Sequence, residues 1–382
     1  MRLEHYSARA LVGSAVLCTV TLLALADDDG FTPMFNGKDL SGWHNVNGAA
    51  DTWSMRDGKI ICKGKPICIL RSDRQYENFI LELEWMHIFP KGNSGCFVWS
   101  DPVTAKGQPF TRAIECQILD GTESANYTSH GDVFAIHGAV MTPDRPHPGG
   151  WMRCLPSERR SKPAGEWNHY RIACNDGVVK LSVNGKEVSG GSAVSPRKGY
   201  ICLESEGSEV HFRNVRIKEL PPAKEPLKPE QIAALDVGFQ HLYTGADLSG
   251  WRAQSGDETH WKASGWALDF DGAGGSIQSE RELGDAQIIV DWRWTSKPGA
   301  IGFPFDFRGA LAASKAEASV KEGEWNRCEL TLKQGKATIV LNEKVLVDGV
   351  LLPGLPEHGS IVLGAPTKGA IQFANIYARE KP

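Results

Sequence analysis

The amino-acid sequence predicts an all-β protein made of two tandem jelly-roll sandwiches, the second of which lacks an insertion. The 382-residue chain contains 41 glycines and 12 tryptophans, and its strand-like runs are short and separated by turns rich in Asn, Asp and Gly. Such spacing is typical of two-sheet sandwiches. Segment 30–43 also returns as segment 238–251, which indicates an internal repeat.

Matched tryptophans mark the framework that the two copies share: Trp43 with Trp251, Trp53 with Trp261, Trp85 with Trp292, and Trp167 with Trp325. Because both copies keep them, we expect these side chains to be structural. The interval from Trp85 to Gly165 is much longer than the matching interval from Trp292 to Gly323. Residues that the fold does not require should therefore lie in this extra segment of copy one.

The chain divides into four predicted segments. Residues 1–26 combine arginines, an apolar run and small residues at a cleavage position, as in a secretory signal peptide. The first jelly roll is predicted for residues 27–220, a proline-rich linker for 221–235 and a shorter jelly roll of the same kind for 236–382. We expect an exported protein, periplasmic or extracellular, without a membrane span after signal cleavage. The net charge of −4 provides no basic surface for nucleic acid.

Most of the cysteines lie in copy one, and their state is open from sequence alone. Export would permit disulfides, and Cys62 and Cys68 flank a predicted hairpin. The repeat aligns Cys174 with Leu332, which instead favours a small buried apolar side chain. Both one bridge and none are compatible with this pattern.

One strand of the insertion separates two kinds of side chain. In segment 112–118, Glu115 and Gln117 point to one face, and Ile114 and Ile118 point to the other. Because the isoleucines belong in the core, the Glu-x-Gln pair should face a cleft. A solvated strand face is the alternative.

A second pair of carboxylates, Glu204 and Glu206, lies at a strand end where copy two has Gly364 and Pro366. The fold therefore does not require acids at these positions. If both faced a cleft, mutual repulsion would raise the pKa of one and make it a proton donor near neutral pH. Two solvated acids at a strand end are the alternative.

Histidines and tryptophans of the insertion complete the candidates. His130 and His137 frame an apolar run, and their spacing matches no standard metal pattern, so they are either structural or catalytic. Segment 141–156, rich in Pro and Gly, is predicted to be a long loop at the rim of a site. Trp99 and Trp151 have no partner in the repeat and are candidates for stacking on a sugar ring.

These motifs together resemble a known family. The resemblance rests on segments 35–43, 93–95, 115–120, 165–168, 184–185 and 212–214. Taken in order, they resemble the secreted 3-keto-disaccharide hydrolase domain, which was formerly a domain of unknown function. The resemblance covers all of copy one, whereas copy two matches only its framework.

The resemblance implies a concanavalin/laminin-G-like jelly roll whose concave face binds carbohydrate. It also implies a hydrolase or lyase that cleaves 3-keto-glycosides by C2 proton abstraction and C1–O elimination, followed by hydration. No cofactor is certain, and a divalent metal is left open. With the residue patterns above, the candidate catalytic residues are Glu115, Glu204, Glu206 and His137. The candidate substrate-binding residues are Asn93, Trp99, Arg112, Gln117, Asp120, His130, Trp151 and Arg213.

Two positions depart from the family pattern. Members of the family carry an Arg where this chain has Trp99, and Leu-Gln-Asp-His-Gly where it has segment 203–207. Arg112, Arg153, His137 or a metal would then supply the missing functions. A non-catalytic sugar-binding or matrix-interaction protein on the same fold is the alternative.

Overall fold

A computed structural model of the chain describes residues 29–120, 131–253, 258–299, 301–311, 319–364 and 369–382. The predicted signal peptide, residues 1–26, lies outside these residues. Regular structure in the described ranges is almost entirely β-strand, as the sequence predicts, with a 3₁₀ turn at Pro229–Gln231. No helix in the described part of the chain is long and apolar enough to cross a membrane.

The first domain is formed by the strands β1 (Thr32–Pro33), β2 (Trp43–Val46), β3 (Trp53–Arg56), β4 (Lys59–Cys62), β5 (Cys68–Ser72), β6 (Phe79–His87), β7 (Gly95–Ser100), β8 (Ala113–Gln117), β9 (Val133–Ile136), β10 (Val140–Pro143), β11 (Arg153–Cys154), β12 (Asn168–Asn175), β13 (Val178–Val183), β14 (Lys186–Ser195), β15 (Tyr200–Ser205) and β16 (Val210–Glu219).

These strands form two antiparallel sheets that face each other. The nine-stranded sheet has the order β10-β14-β13-β12-β6-β16-β4-β3, with β1 paired to β16. The seven-stranded sheet has the order β11-β9-β8-β7-β15-β5-β2. Each strand alternates side chains between its two faces, and the inner faces enclose a core that includes Trp53, Trp85 and Tyr170.

The second domain is formed by β17 (Gln240–His241), β18 (Trp251–Ala253), β19 (Trp261–Ser264), β20 (Ala267–Phe270), β21 (Ile277–Ser279), β22 (Ala286–Trp294), β23 (Phe305–Phe307), β24 (Asn326–Lys333), β25 (Lys336–Leu341), β26 (Lys344–Leu351), β27 (Ile361–Leu363) and β28 (Ile371–Glu380). Its larger sheet has the order β19-β20-β28-β22-β24-β25-β26, with β17 paired to β28, and its smaller sheet has the order β18-β21-β27-β23.

The strand orders of the two domains correspond. The order β18-β21-β27-β23 repeats β2-β5-β15-β7, and among the described residues the second domain has no counterpart of β8, β9 or β11. The insertion that the sequence places in copy one therefore extends the seven-stranded sheet at one edge.

Matched residues make matched hydrogen bonds. The indole Nε1 of Trp43 donates to the carbonyl of Met34 at 2.8 Å, and that of Trp251 donates to the carbonyl of Leu242 at 2.8 Å. Of the four tryptophan pairs, the first three are buried. Trp167 and Trp325 are only half-buried, so this pair lies at the surface of the larger sheets rather than in the cores.

The two domains meet at a turn of the insertion, segment 104–108. The backbone N–H of Gly107 donates to the buried carboxylate of Asp291 at 2.8 Å. Asn375 Nδ2 donates to the carbonyls of Ala105 at 3.0 Å and Gln108 at 3.1 Å. Asp291 also pairs with the Arg327 guanidinium at 2.7 Å. The β7–β8 loop of the first domain is thus held by the second domain.

We expect Gly107→Ala to lower the free energy of unfolding more than a matched glycine substitution away from this contact does. A Cβ at Gly107 would lie 2.1 Å from Cγ of Trp325, and the residue has a φ of +63°. Gly265 has the same φ of +63° but open space around its Cβ position, so Gly265→Ala carries only the backbone penalty of roughly 1–2 kcal/mol. The clash should cost Gly107→Ala roughly 1–3 kcal/mol more. Denaturant unfolding measures both, and equal losses would contradict the contact.

Candidate active site

The outer face of the seven-stranded sheet carries the acidic candidates. Ile114, Cys116 and Ile118 pack in the core between the sheets. Glu115 and Gln117 therefore point the opposite way, as the alternation of β8 predicts. Each is only 5% exposed, so this face is covered and the pair is not on a solvated strand.

Gly95 lies where two carboxyl groups converge. Gly95 is opposite Gln117 in the β7–β8 pair, and Leu203 of β15 is opposite Cys96, which places Glu204 beside Gly95. A Cβ at Gly95 would lie 2.8 Å from Oε2 of Glu204 and 2.9 Å from Oε1 of Glu115. The two carboxyl oxygens are therefore no farther apart than the sum of these distances, and only glycine leaves room for both.

Glu206 joins the cluster through the turn that precedes β7. The amide of Asn93 donates a short hydrogen bond to the Glu206 carboxylate. The turn itself is fixed by Asp120, whose carboxylate accepts the backbone N–H of Lys91 at 2.9 Å. Ser94 Oγ also donates to the backbone carbonyl of Glu204 at 2.8 Å. Asp120 thus positions this turn, and its own side chain is engaged with the backbone.

Burial dominates the acid–base properties of the three carboxyls. It raises the pKa of Glu115 well above its ordinary value, and the charge of Glu206 raises it further, against a lowering by Arg153. Burial also raises the pKa of Glu204, with added repulsion from Glu115 and Glu206. Burial raises the pKa of Glu206 to about 7, although the Asn93 hydrogen bond opposes this. The cluster therefore holds protons at neutral pH that exposed carboxyls would release.

An arginine and aromatic rings border the cluster on the β9–β11 side. Phe134 is opposite Glu115 in β9 and opposite Arg153 in β11, so the three side chains share a row on the outer face. The Arg153 guanidinium lies 4.2 Å from the centre of the Phe134 ring and its Nε donates to buried Asp132 at 2.9 Å. Trp151, 52% exposed, lies 6.0 Å from the same guanidinium and offers an open aromatic surface.

Trp99 is not part of this surface, contrary to the expectation that it stacks on a sugar. Its indole is fully buried in the core, where it packs edge-on against Phe79 and donates to the carbonyl of Glu77 at 2.7 Å. The reason is a break in strand alternation. Trp99 has a φ of 55°, and the β7–β15 pairing shifts register between Tyr200 and Cys202. The side chains of Trp99 and its neighbour Val98 therefore both point into the core.

Arg213 is also remote from the acidic cluster. It lies in β16 of the nine-stranded sheet, where its guanidinium pairs with Glu84 and lies 4.0 Å from the centre of the Trp167 ring. Arg213 therefore does not share a surface with the acidic cluster, and its substrate-binding role stays a prediction.

Neither Arg112 nor His137 supplies a cation at the acidic cluster. Arg112 makes a two-pronged ion pair with Asp101, at 2.8 and 3.0 Å, in the loop held by the second domain. His137 follows β9, where its ring is tilted against that of Phe110 and burial lowers its pKa. A neutral His137 at the edge of the same face does not replace a lost cation. His130 lies outside the described residues.

The described cysteines are free thiols, so the hairpin bridge left open by the sequence is not formed. Trp53 Nε1 donates to the Cys68 sulfur at 3.3 Å, and the backbone N–H of Gly64 donates to the Cys62 sulfur at 3.3 Å. All eight of these thiols are buried, in keeping with their role as small apolar side chains. The described residues contain no group of three or more His, Cys, Asp or Glu side chains arranged to hold a metal ion.

Sequence reasoning missed what converges at Gly95 and how Arg153 is held. Gly95 ends segment 93–95, on which part of the family resemblance rests, but its role depends on a register between β7 and β15 that no local pattern reveals. Asp132 is not among the residues for which the sequence predicts a role. The alternating pattern of β9 and the cationic start of β11 are the signals that could have paired Asp132 with Arg153.

Buried acids on the outer face of a jelly-roll sheet, beside an exposed tryptophan, define the first domain as a β-sandwich with acid–base groups. Residues 30–218 match the family described as the 3-keto-alpha-glucoside-1,2-lyase-like domain. The match covers nearly all of the first sandwich, so this domain is similar to that family.

Other known proteins are similar to this chain over about half its length. A 3-keto-disaccharide hydrolase from Bacteroides thetaiotaomicron is 23% identical over 244 residues, which cover 51% of this chain and 80% of the relative. A Parabacteroides distasonis protein, provisionally assigned as a glycosyl hydrolase, is 25% identical over 50% of this chain and 94% of its own, with a TM-score of 0.39. A carbohydrate-binding module from Bacillus subtilis is 12% identical over 47% of this chain and 96% of its own, with a TM-score of 0.34.

We expect Glu204→Gln to stabilise the protein increasingly as the pH rises. A raised folded-state pKa means that the folded protein holds protons that the unfolded chain releases above about 4.5. Stability is therefore fully present below that pH and is lost as the pH climbs through the folded-state values, of which that of Glu206 is about 7. The uncharged amide introduced by the substitution removes this loss.

Thermal unfolding between about pH 4.5 and pH 8 checks this, with roughly 2–4 °C in melting temperature for each kcal/mol. Glu187→Gln, which changes an exposed carboxylate on β14, is the control. If the variant and wild type lost stability in parallel as the pH rose, the buried carboxyl would not be the cause.

Proposed function

We propose that the first domain is a carbohydrate-active hydrolase or lyase that cleaves 3-keto-glycosides at the cluster of Glu115, Glu204 and Glu206. The observation that carries the proposal is the convergence of the Glu115 and Glu204 carboxyls above Gly95, within a domain similar to the 3-keto-alpha-glucoside-1,2-lyase-like family. Carbohydrate is the partner that this similarity supports.

The chemistry needs one base and one acid. A ketone at C3 acidifies the hydrogen at C2, so that a carboxylate can remove it and leave an enolate. The enolate then expels the C1 oxygen, which takes a proton from an acid, and an enone remains. Water adds to C1 and a proton returns to C2, which gives the free 3-keto sugar.

The pKa values that burial gives the three carboxyls indicate which is the base and which are the acids. Glu206 has a pKa of about 7, so a large share of it is carboxylate at neutral pH and can accept the C2 proton. Glu115 and Glu204 have pKa values well above the ordinary range and remain acids that can donate to the leaving oxygen. The deep burial of Glu115 thus favours the role of the acid over that of the base.

The Gln117 amide and the Arg153 cation, which lie on the same face, can stabilise the negative charge on the enolate oxygen. The Gln117 side chain is oriented by its own Oε1, which accepts the backbone N–H of Ile118 at 3.0 Å, so its Nε2 is left as a donor. The cation of Arg153 lies close enough to lower the pKa of Glu115 and would favour negative charge in the same space. These groups take the place of the family arginine that this chain lacks at Trp99.

We also propose that the protein acts outside the cytoplasm after removal of residues 1–26. The support is the basic, apolar and small-residue order of that segment, and N-terminal sequencing of the secreted protein would test it.

We expect Glu115→Gln to lower turnover of a 3-keto-glucoside by roughly 10²–10⁴, the usual worth of a positioned proton-transfer group. Gln is nearly isosteric with Glu but cannot transfer a proton at neutral pH. Release of 3-keto-glucose by purified protein, with and without EDTA, is the measurement, and Glu187→Gln is the matched control. A wild-type protein that binds the sugar without turnover would instead support the sugar-binding alternative.

The ketone itself is the second variable of that assay. An unoxidised glucoside has no acidified C2 hydrogen, so it should not be cleaved. Equal cleavage of the oxidised and unoxidised substrates would contradict elimination and indicate a two-carboxylate glycosidase built on Glu115 with Glu204 or Glu206.

The pH dependence of kcat should be bell-shaped. The rate should rise as Glu206 loses its proton near its pKa of about 7 and fall at higher pH as the acid among Glu115 and Glu204 is lost. Glu206→Gln should remove the rising limb along with most of the activity. A rate that is already maximal at about pH 5 would show that a carboxylate of ordinary pKa is the base.

A further inference from the structure

The larger sheets of the two domains have corresponding outer faces. A polypeptide turn covers this face in the second domain, whereas the face is open in the first. The matched framework aligns Glu84 with Asp291, His169 with Arg327, and Asn214 with Asn375. Asn214 donates to the Glu84 carboxylate at 3.1 Å, and Asn375 donates to the Asp291 carboxylate at 2.8 Å. Asn214 and Asn375 also have φ values of 52° and 50°, so the same backbone bend presents the same amide in both domains.

In the second domain this face holds a polypeptide turn. The turn is segment 104–108, closed by the backbone N–H of Gln108 donating to Ala105 at 3.0 Å. It is recognised mainly through its backbone: Asp291 accepts one N–H, while Asn375 and Arg327 donate to three carbonyls. A Cβ at Gly107 would overlap Trp325, so the glycine lies directly on the indole.

In the first domain the corresponding face is an open groove of about 430 Å³. Glu84, His169 and Asn214 line it, beside the aromatic ring of Phe35. Asn214 is exposed, whereas its counterpart Asn375 is 2% exposed beneath the turn. The carboxylate and the amide that hold the turn in the second domain therefore have counterparts beside an open groove in the first, where His169 takes the place of Arg327.

The surroundings of the groove differ from those in the second domain. Ile289 and Tyr377, which pack against the first domain, correspond to Glu82 and Arg216, which form an ion pair at 2.7 Å. Arg213 replaces Ala374 and covers Trp167, the counterpart of Trp325. A permanent apolar interface is thus replaced by a charged surface, and an incoming turn meets the Arg213 guanidinium, which favours an acidic residue beside the glycine.

We propose that this groove is a docking site for a glycine-containing β-turn, carrying an acidic residue, on a partner polypeptide. The partner's turn is held by Glu84 accepting its glycine N–H and Asn214 donating to its carbonyls, as Asp291 and Asn375 do within the chain. Segment 104–108 of a second copy is not the occupant, because that turn is already bound to its own second domain. The site is independent of the acidic cluster, which lies on the opposite sheet.

A cyclic peptide of residues 101–112, closed through added terminal cysteines and carrying Lys106→Glu, is the probe. Titrated calorimetrically into the full chain, it should bind, and more tightly than the same peptide with Lys106. Asn214→Ala in the protein should weaken binding about tenfold, and Glu84→Gln, which keeps the shape of the groove, should also weaken it. Asn175→Ala, an exposed change at the end of β12, is the matched control.

A peptide that also carries Gly107→Ala should bind more weakly, because the turn holds this residue at a φ of +63°, a backbone conformation that a side chain disfavours. Absence of binding by the glycine peptide, or equal binding by the Asn214→Ala and Asn175→Ala proteins, would overturn the proposal. So would an unoxidised oligosaccharide whose binding is lost in Asn214→Ala, since the groove would then be a sugar site. Turnover of the 3-keto-glucoside should be unchanged in Asn214→Ala, so this test and that of the catalytic proposal can fail separately.

Discussion

The site of this protein depends on the absence of a side chain at Gly95. Glu115 and Glu204 reach into the volume that any other residue would fill, and each approaches within 3 Å of the position of the missing Cβ. On the other face of the same strand, Cys96 and Val98 pack in the core. One strand thus supports the sandwich with one face and the acid cluster with the other, so the geometry of the site follows from the packing of the core.

Burying three carboxyl groups opposes folding, because each prefers water when charged. The framework that both domains repeat provides the opposing stability. The buried tryptophans and the paired asparagines recur in the second domain, whose described residues form a sandwich without counterparts of β8, β9 and β11. Strand β8, which carries Glu115, is therefore an addition to the shared framework, whereas β7 and β15, which carry Gly95 and Glu204, belong to that framework.

The second domain also bears on the site, although it carries none of the three carboxyls. It holds the turn 104–108, and the same loop carries Phe110, which packs edge-on against Phe97 at 5.7 Å. Phe97 is directly opposite Glu115 in the β7–β8 pair. The apolar wall beside the acid cluster therefore rests on the second domain through the loop. From the repeat alone, one would expect the second domain to be dispensable for the site. The contacts show instead that the second domain supports the β7–β8 loop of the insertion.

The sequence by itself determined the fold class, the tandem arrangement, the family that the first domain resembles and the outward direction of Glu115 and Gln117. These follow from local or repeated patterns: the period of two along a strand, turn residues and matched tryptophans. Only the tertiary structure decided which strands are neighbours. It brought Glu204 beside Gly95, placed Arg213 in the other sheet, and turned Trp99 into the core through a backbone bend that breaks alternation. Register, bulges and the pairing of distant strands arise from contacts between segments far apart in the chain, so no local pattern records them.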